Sequence, residues 1–178
     1  MMRNQKGFTL VELLVIIMII GALMAMMLPN ISGAREQARR AALQMNCHNV
    51  QVVIETFHME QGYYADDFYE DEYGAYFPGG VLDEELGRLP TNPWTGREMD
   101  PDEFDSEDYD NDGDNAITVE DGPNDVYGYD RGQIIYLVYD PPGAPAPTQY
   151  GLVGIQHSGI AMRSFDAEGE VVVFVLHN

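Results

Sequence analysis

Among its 178 residues the chain has one cysteine. Cys47 has no partner, so no intrachain disulfide can form. The folded part must be held by packing, by a metal or by neighbours. Lysine is just as scarce, since Lys6 is the only one. Lys and Arg together number 9 against 30 Asp and Glu, for a formal charge of −21. A surface so poor in cations does not neutralise a phosphate backbone, so nucleic acid is not expected as a partner. The acidity suits a solvated outer surface, or one screened by divalent cations. Catalytic signatures are missing as well. His48, His58, His157 and His177 show no metal-ligand spacing, and no nucleophile motif, phosphate loop or dinucleotide fingerprint occurs.

One stretch lacks charge almost completely. From Phe8 to Leu28 the residues are apolar or small apart from Thr9 and Glu12. At about 1.5 Å per residue a helix over that stretch rises about 30 Å, the thickness of a bilayer's hydrocarbon core. Glu12 is the anomaly, because a carboxylate there costs roughly 2.5–3.5 kcal/mol. If the chain is cut after Gly7, Phe8 carries a new α-amino group. An ammonium on a neighbouring copy then neutralises Glu12, and the cost of the charge becomes a term favouring ordered packing.

The order Gly7, Phe8, Thr9, Leu10, Glu12 before an apolar run resembles the N-terminus of type IV pilins and of the related type II secretion pseudopilins. The resemblance implies cleavage between Gly7 and Phe8 by prepilin peptidase, with methylation of the Phe8 amine. It assigns to Glu12 the setting of register during assembly. It also implies a single-pass precursor in the inner membrane, surrounded by lipid and delivered to an assembly platform. From there identical subunits enter an extracytoplasmic filament, at the cell surface or in the periplasm. An ordinary secretory signal shares the basic start and apolar core, but Glu12 sits badly in such a core. A plain single-pass anchor gives Glu12 no role. Arg3 and Lys6 before the span are balanced by Arg35, Arg39 and Arg40 after it, so loop charge does not fix orientation.

Pro29 is the first interruption. Proline removes a backbone donor and clashes with the preceding turn, so a kink or local melting is expected there, without a true end. A helical pattern then runs from Ala34 to about Gln61. Leu43, Cys47, Val50, Ile54 and Phe57 alternate at spacings of four and three and form one stripe, which Ala38, Ala42 and Met45 are expected to widen. Cys47 on that stripe reads as a buried, inert thiol. Gly62 is a natural stop.

The next segment is rich in tyrosine and acid and should hold short elements of its own, including a brief helix at Leu82–Leu86. Leu89 to Gly96 (Leu-Pro-Thr-Asn-Pro-Trp-Thr-Gly) reads as a rigid turn, with Trp94 plugging the core. It is similar to the Pro-aromatic-Gly segment before the sheet of major pseudopilins and some pilins.

The acidic run after Asp108 carries the sharpest chemistry. Counted from Asp110, carboxylates stand at positions 1, 3, 5 and 12 as Asp110, Asp112, Asp114 and Asp121. Position 7 is Ala116, which offers its carbonyl, and position 9 is Thr118. This is the oxygen-ligand spacing of an EF-hand loop and predicts one Ca2+. The loop resembles dockerin-type calcium loops, which share the glycine found here as Gly113. It departs from the EF-hand pattern at Asn115, where glycine is usual, and at Asp121, where a longer Glu is usual. Without a counter-ion these carboxylates repel one another.

Strands are predicted at Gln133–Tyr139 and Thr148–Gln156, the second weakened by Gly151 and Gly154. A hairpin is predicted over Ile160–Phe165 and Glu170–Leu176, with Val171–Leu176 as the central or best-buried strand. The expected organisation is a leader at 1–7, a spanning helix at 8–28, its amphipathic half at 29–61, an acidic loop region at 62–132 and a sheet at 133–178. The fold class is α+β, with the long helix packed on an antiparallel sheet of three or four strands. The function expected is that of a structural subunit of a helical filament, either a surface pilin or the major pseudopilin of a type II secretion system. The alternative is a monomeric, membrane-anchored, calcium-binding module outside the cytoplasm.

Overall fold

The structure, a computed structural model, describes residues 7–104, 106–108, 130–139, 143–157, 160–165, 171–173 and 175–177. The chain divides into two compact units, residues 1–38 and 39–178. A single helix, α1 (Leu10–Gln61), enters both.

In the first unit α1 carries the apolar run, and its side chains from Leu10 to Met26 are exposed. By length and composition α1 is able to cross a membrane. Helix is unbroken through position 29, so the expected interruption at Pro29 does not end it.

The second unit is built on the stripe that the sequence marks. Leu43, Cys47, Val50, Ile54 and Phe57 are all 0–1% exposed. Ala38, Ala42 and Met45 do not widen the stripe, since all three are exposed. At about 100° per residue, Met45 lies nearly opposite Leu43. The helix stops where expected. Gly62 adopts φ +83°, a left-handed value that costs glycine nothing, and its N–H donates to the His58 carbonyl at 2.8 Å.

The sheet is formed by β1 (Ser106–Asp108), β2 (Ile134–Tyr139), β3 (Gln149–His157), β4 (Ile160–Ala161) and β7 (Val175–His177). β2 pairs antiparallel with β3 in the register Leu137 opposite Gly151. β4 and β7 pair antiparallel with successive stretches of β3, and β1 adds a parallel strand beside β2. The sheet therefore differs from the expected three or four antiparallel strands by its short parallel edge. β5 (Arg163–Phe165) and β6 (Val171–Val173) form a separate antiparallel pair, where a hairpin is predicted.

Alternation along β2 and β3 sorts their side chains onto two faces. Ile134, Tyr136, Val138, Tyr150 and Leu152 join the core with α1. Ile135, Leu137, Val153 and Ile155 form a second buried cluster. The central strand is β3, not Val171–Leu176, and Gly154, which weakens β3 by local propensity, lets it sit against α1. A Cβ on Gly154 would lie 2.9 Å from Leu43 Cδ2, so the missing side chain makes room for α1.

Between α1 and the sheet the chain makes two short 3-10 turns, Tyr73–Tyr76 and Pro101–Phe104. The helix expected at Leu82–Leu86 does not form. Val81 and Glu85 pair as an antiparallel bridge and close a tight turn, with Asp83 at φ +60°. Bridge closure and a left-handed residue are both incompatible with a helical turn at that point.

Candidate assembly site

The first turn of α1 is a reciprocal cap. Thr9 precedes the helix, and Glu12 is its third residue. Thr9 N–H donates to Glu12 Oε2 at 2.9 Å, and the Thr9 hydroxyl donates to the same oxygen at 2.8 Å. In return Glu12 N–H donates to Thr9 Oγ1 at 3.3 Å. Two of the helix's orphan donors are thereby satisfied by side chains, and the carboxylate sits at the positive end of the helix dipole. Sequence reasoning missed this partner although its signal was visible, since Thr-x-x-Glu before an apolar run is a capping box.

The cap corrects one expectation. Glu12 is not without compensation in a lone chain, because hydrogen bonds from Thr9 hold it. They do not remove its charge. No Lys, Arg or His lies between Phe8 and Leu28, so a neutralising cation has to come from outside that stretch. Gly7 and Phe8, the residues of the expected cleavage, lie just before the cap, and Phe8 is 78% exposed.

The six residues of the expected calcium loop, Asp110, Asp112, Asp114, Ala116, Thr118 and Asp121, lie outside the described residues, as do residues 1–6 of the expected leader. Among the described residues the carboxylates of Asp66, Asp67 and Glu72 come together, with one oxygen from each within 4.8 Å of the others. Glu72 has a structural role there. Its Oε2 accepts the backbone N–H of Asp66 at 3.1 Å and of Asp67 at 3.2 Å, which ties the loop after α1 together. Burial, and then the charge of Asp67, push Glu72 up to about 7.

The loop region is joined to the core by aromatic residues. Tyr136 donates to the Ala65 carbonyl at 2.7 Å, and Ala65 N–H donates to the Tyr73 hydroxyl at 2.9 Å. The two hydroxyls are 2.9 Å apart. Tyr136 has one proton and gives it to Ala65, so Tyr73 must be the donor between the hydroxyls. Cys47 is fully buried and its thiol is pushed up to about 12 by burial, which makes it inert.

The Pro-Trp turn forms as expected, but its organiser is Asn92. Asn92 is 4% exposed; its Oδ1 accepts Trp94 N–H at 2.9 Å and its Nδ2 donates to the Arg131 carbonyl at 2.8 Å. Trp94 is half-buried against the core, with the Arg131 guanidinium 5.3 Å from its ring centre. It packs at the rim and does not plug the centre.

Residues 2–28 match the family described as the prokaryotic N-terminal methylation motif. The match to this motif is not the whole similarity. The chain is 27% identical over 104 residues to a type II secretion system core protein G of Klebsiella pneumoniae, covering 52% of this chain and 71% of that one. It is 28% identical over 103 residues to the protein of that name from Vibrio cholerae, covering 52% and 68%. It is 35% identical over 66 residues to a type IV wide pilus major component of Thermus thermophilus, covering 37% of this chain and 50% of that one. No solved structure matches the chain.

Proposed function

We propose that the protein is a structural subunit of a pilus or pseudopilus filament, and that it has no catalytic role. The observation that carries this is the first turn of α1. A capped carboxylate heads an exposed apolar helix, immediately after a glycine-aromatic pair within the methylation motif. Prepilin peptidase cuts between Gly7 and Phe8, the Phe8 amine is methylated, and Glu12 takes the ammonium of a neighbouring copy. Before assembly the helix lies in the inner membrane. There the cost of Glu12 in hydrocarbon favours transfer to a partner's amine at the assembly platform.

Between the two kinds of filament, the major pseudopilin of a type II secretion system is the reading we favour. The similarity to secretion core proteins G covers 52% of the chain, so it reaches well past the prepilin-type segment and into the folded unit. The match to the pilus component covers 37%. One Ca2+ held by Asp110, Asp112, Asp114, Asp121, the Ala116 carbonyl and Thr118 is part of the proposal, on the strength of their spacing. In a chain without disulfides it would cross-link an acidic loop.

The test is electron microscopy of the processed protein beside its Glu12→Ala variant. Filaments from the first and none from the second are expected. If processed wild-type protein stays monomeric, the filament reading fails and the membrane-anchored module replaces it.

A further inference from the structure

A groove of about 620 Å3 opens on the folded unit between α1 and the loop region, a size in the range of ligand-binding clefts. Asn49 and Val52 of α1 line one side, and Phe77, Pro78 and Arg88 line the other. Val52 is 65% exposed, on the side of α1 that faces away from the buried stripe. Arg88 is the one charged side chain in the lining. It is exposed, and among the described residues it makes no hydrogen bond or ion pair. The chain has 9 Lys and Arg against 30 Asp and Glu, so an arginine left over beside an apolar cleft suits a carboxylate that arrives from outside.

The same chain presents such a group. Val81 and Glu85 exchange both backbone hydrogen bonds, each at 2.8 Å, and Asp83 N–H donates to the Glu70 carbonyl at 2.9 Å. The closed turn leaves Val81, Leu82 and Leu86 exposed beside the exposed residues Asp83, Glu84 and Glu85. It is an apolar projection with carboxylates on it, the complement of an apolar cleft with one cation.

We propose that the Val81–Leu86 turn of one copy seats in the groove of a second copy of this chain, with Leu82 against Val52 and a carboxylate of the turn on Arg88. This deepens the filament reading given above and rests on it. Turn and groove are different surfaces, so the contact is heterologous and can repeat from copy to copy along an open polymer. The turn is closed by its own backbone bonds, so little ordering remains to be done at docking. Two strongly acidic chains repel each other, and Arg88 supplies opposite charge where they meet.

The experiment co-expresses two full-length chains with different tags and the peptidase, one carrying Val52→Cys and the other Leu82→Cys. Cys47 is buried and inert, so the introduced thiols are the reactive ones. After mild oxidation, disulfide-linked dimers that carry both tags are measured in the sedimented polymer. The expected yield is at least about tenfold above that of a control pair, Met59→Cys with Leu82→Cys, because Met59 on α1 is exposed and lies outside the groove lining. Adding Arg88→Glu to the Val52→Cys chain should lower the yield at least about tenfold, because it sets like charges against each other. Where either variant fails to polymerise, Asn49→Cys with Leu86→Cys takes the place of the first pair. A yield no higher than the control, in polymer sedimenting at the wild-type amount, overturns the proposal and leaves the filament reading intact. A yield unchanged by Arg88→Glu overturns it as well, as do dimers of Leu82→Cys alone at the mixed-pair yield, which would join turn to turn. Absence of polymer from processed wild type defeats the filament reading itself, and the proposal with it.

Discussion

Replacing Tyr136 by Phe tests whether the tyrosines that join the loop region to the sheet act through their hydroxyls. Tyr136 is 0% exposed, and burial holds its hydroxyl well above the usual phenol range, so it remains a proton donor at any working pH. The substitution keeps the ring and its packing: Phe68 at 5.3 Å, Tyr73 at 5.6 Å and Tyr150 at 6.2 Å between centroids. What is lost is the bond to the Ala65 carbonyl and the acceptor for the Tyr73 proton. Each buried group left unpaired costs about 1–3 kcal/mol, so the variant, with two such groups, should lose about 2–6 kcal/mol of stability. Tyr73→Phe leaves Ala65 N–H unpaired and should cost about 1–3 kcal/mol. Because the three bonds share atoms, the double variant should fall short of the sum of the singles by about 0.5 kcal/mol or more. Urea unfolding of the full chain in detergent, followed by near-ultraviolet circular dichroism, reads all three. A Tyr136→Phe loss under about 0.5 kcal/mol would refute the hydrogen-bonded network, since that is the range of substitutions away from such features.

Other outcomes follow from the same packing and charge. Glu72 titrates at about 7 in the fold against an ordinary value of 4.5, so the folded state holds the extra proton in between. Stability should therefore fall as pH rises from about 4.5 to about 7 and level off above, and Glu72→Gln should flatten that slope in pH-dependent unfolding. A slope unchanged by Glu72→Gln assigns the effect elsewhere. Gly154→Ala places a Cβ 2.9 Å from Leu43 Cδ2 and 3.2 Å from Met162 Cε, and should destabilise by about 1–3 kcal/mol in urea unfolding. Chelation should lower the melting temperature, the stabilisation lost being about 2.7 kcal/mol where calcium stands a hundredfold above its dissociation constant. No shift on chelation removes the calcium proposal.

The long helix was legible because it obeys a single period. Leu43, Cys47, Val50, Ile54 and Phe57 mark the buried stripe residue by residue, and Gly62 ends the helix in the conformation glycine favours. The sheet was less legible because its centre is set by tertiary packing. Gly154 weakens β3 by local propensity, but the same gap admits Leu43, and that contact is invisible in a strand read alone. Leu82–Leu86 was misread because helix-forming residues do not reveal that Val81 and Glu85 bridge across them. Asn92 carries no distinguishing signal within the Leu89–Gly96 turn. Its role depends on Arg131, far away in sequence, and on Gly132, where a Cβ would lie 2.2 Å from Asn92 Oδ1. At the assembly site the sequence supplied Gly7, Phe8 and Glu12 in order. The partner of Glu12 is legible too, from the three-residue spacing to Thr9 that a capping box requires.

The central claim is that cleavage exposes an amine on Phe8 which a neighbour's Glu12 then holds. The most direct measurement is the intact mass and N-terminal peptide of subunits taken from sedimented polymer. The account predicts a chain that begins at Phe8, carries a methyl group on its amine and is absent from the pellet of Glu12→Ala cells. Polymer built from chains that still carry Lys6-Gly7 would contradict it.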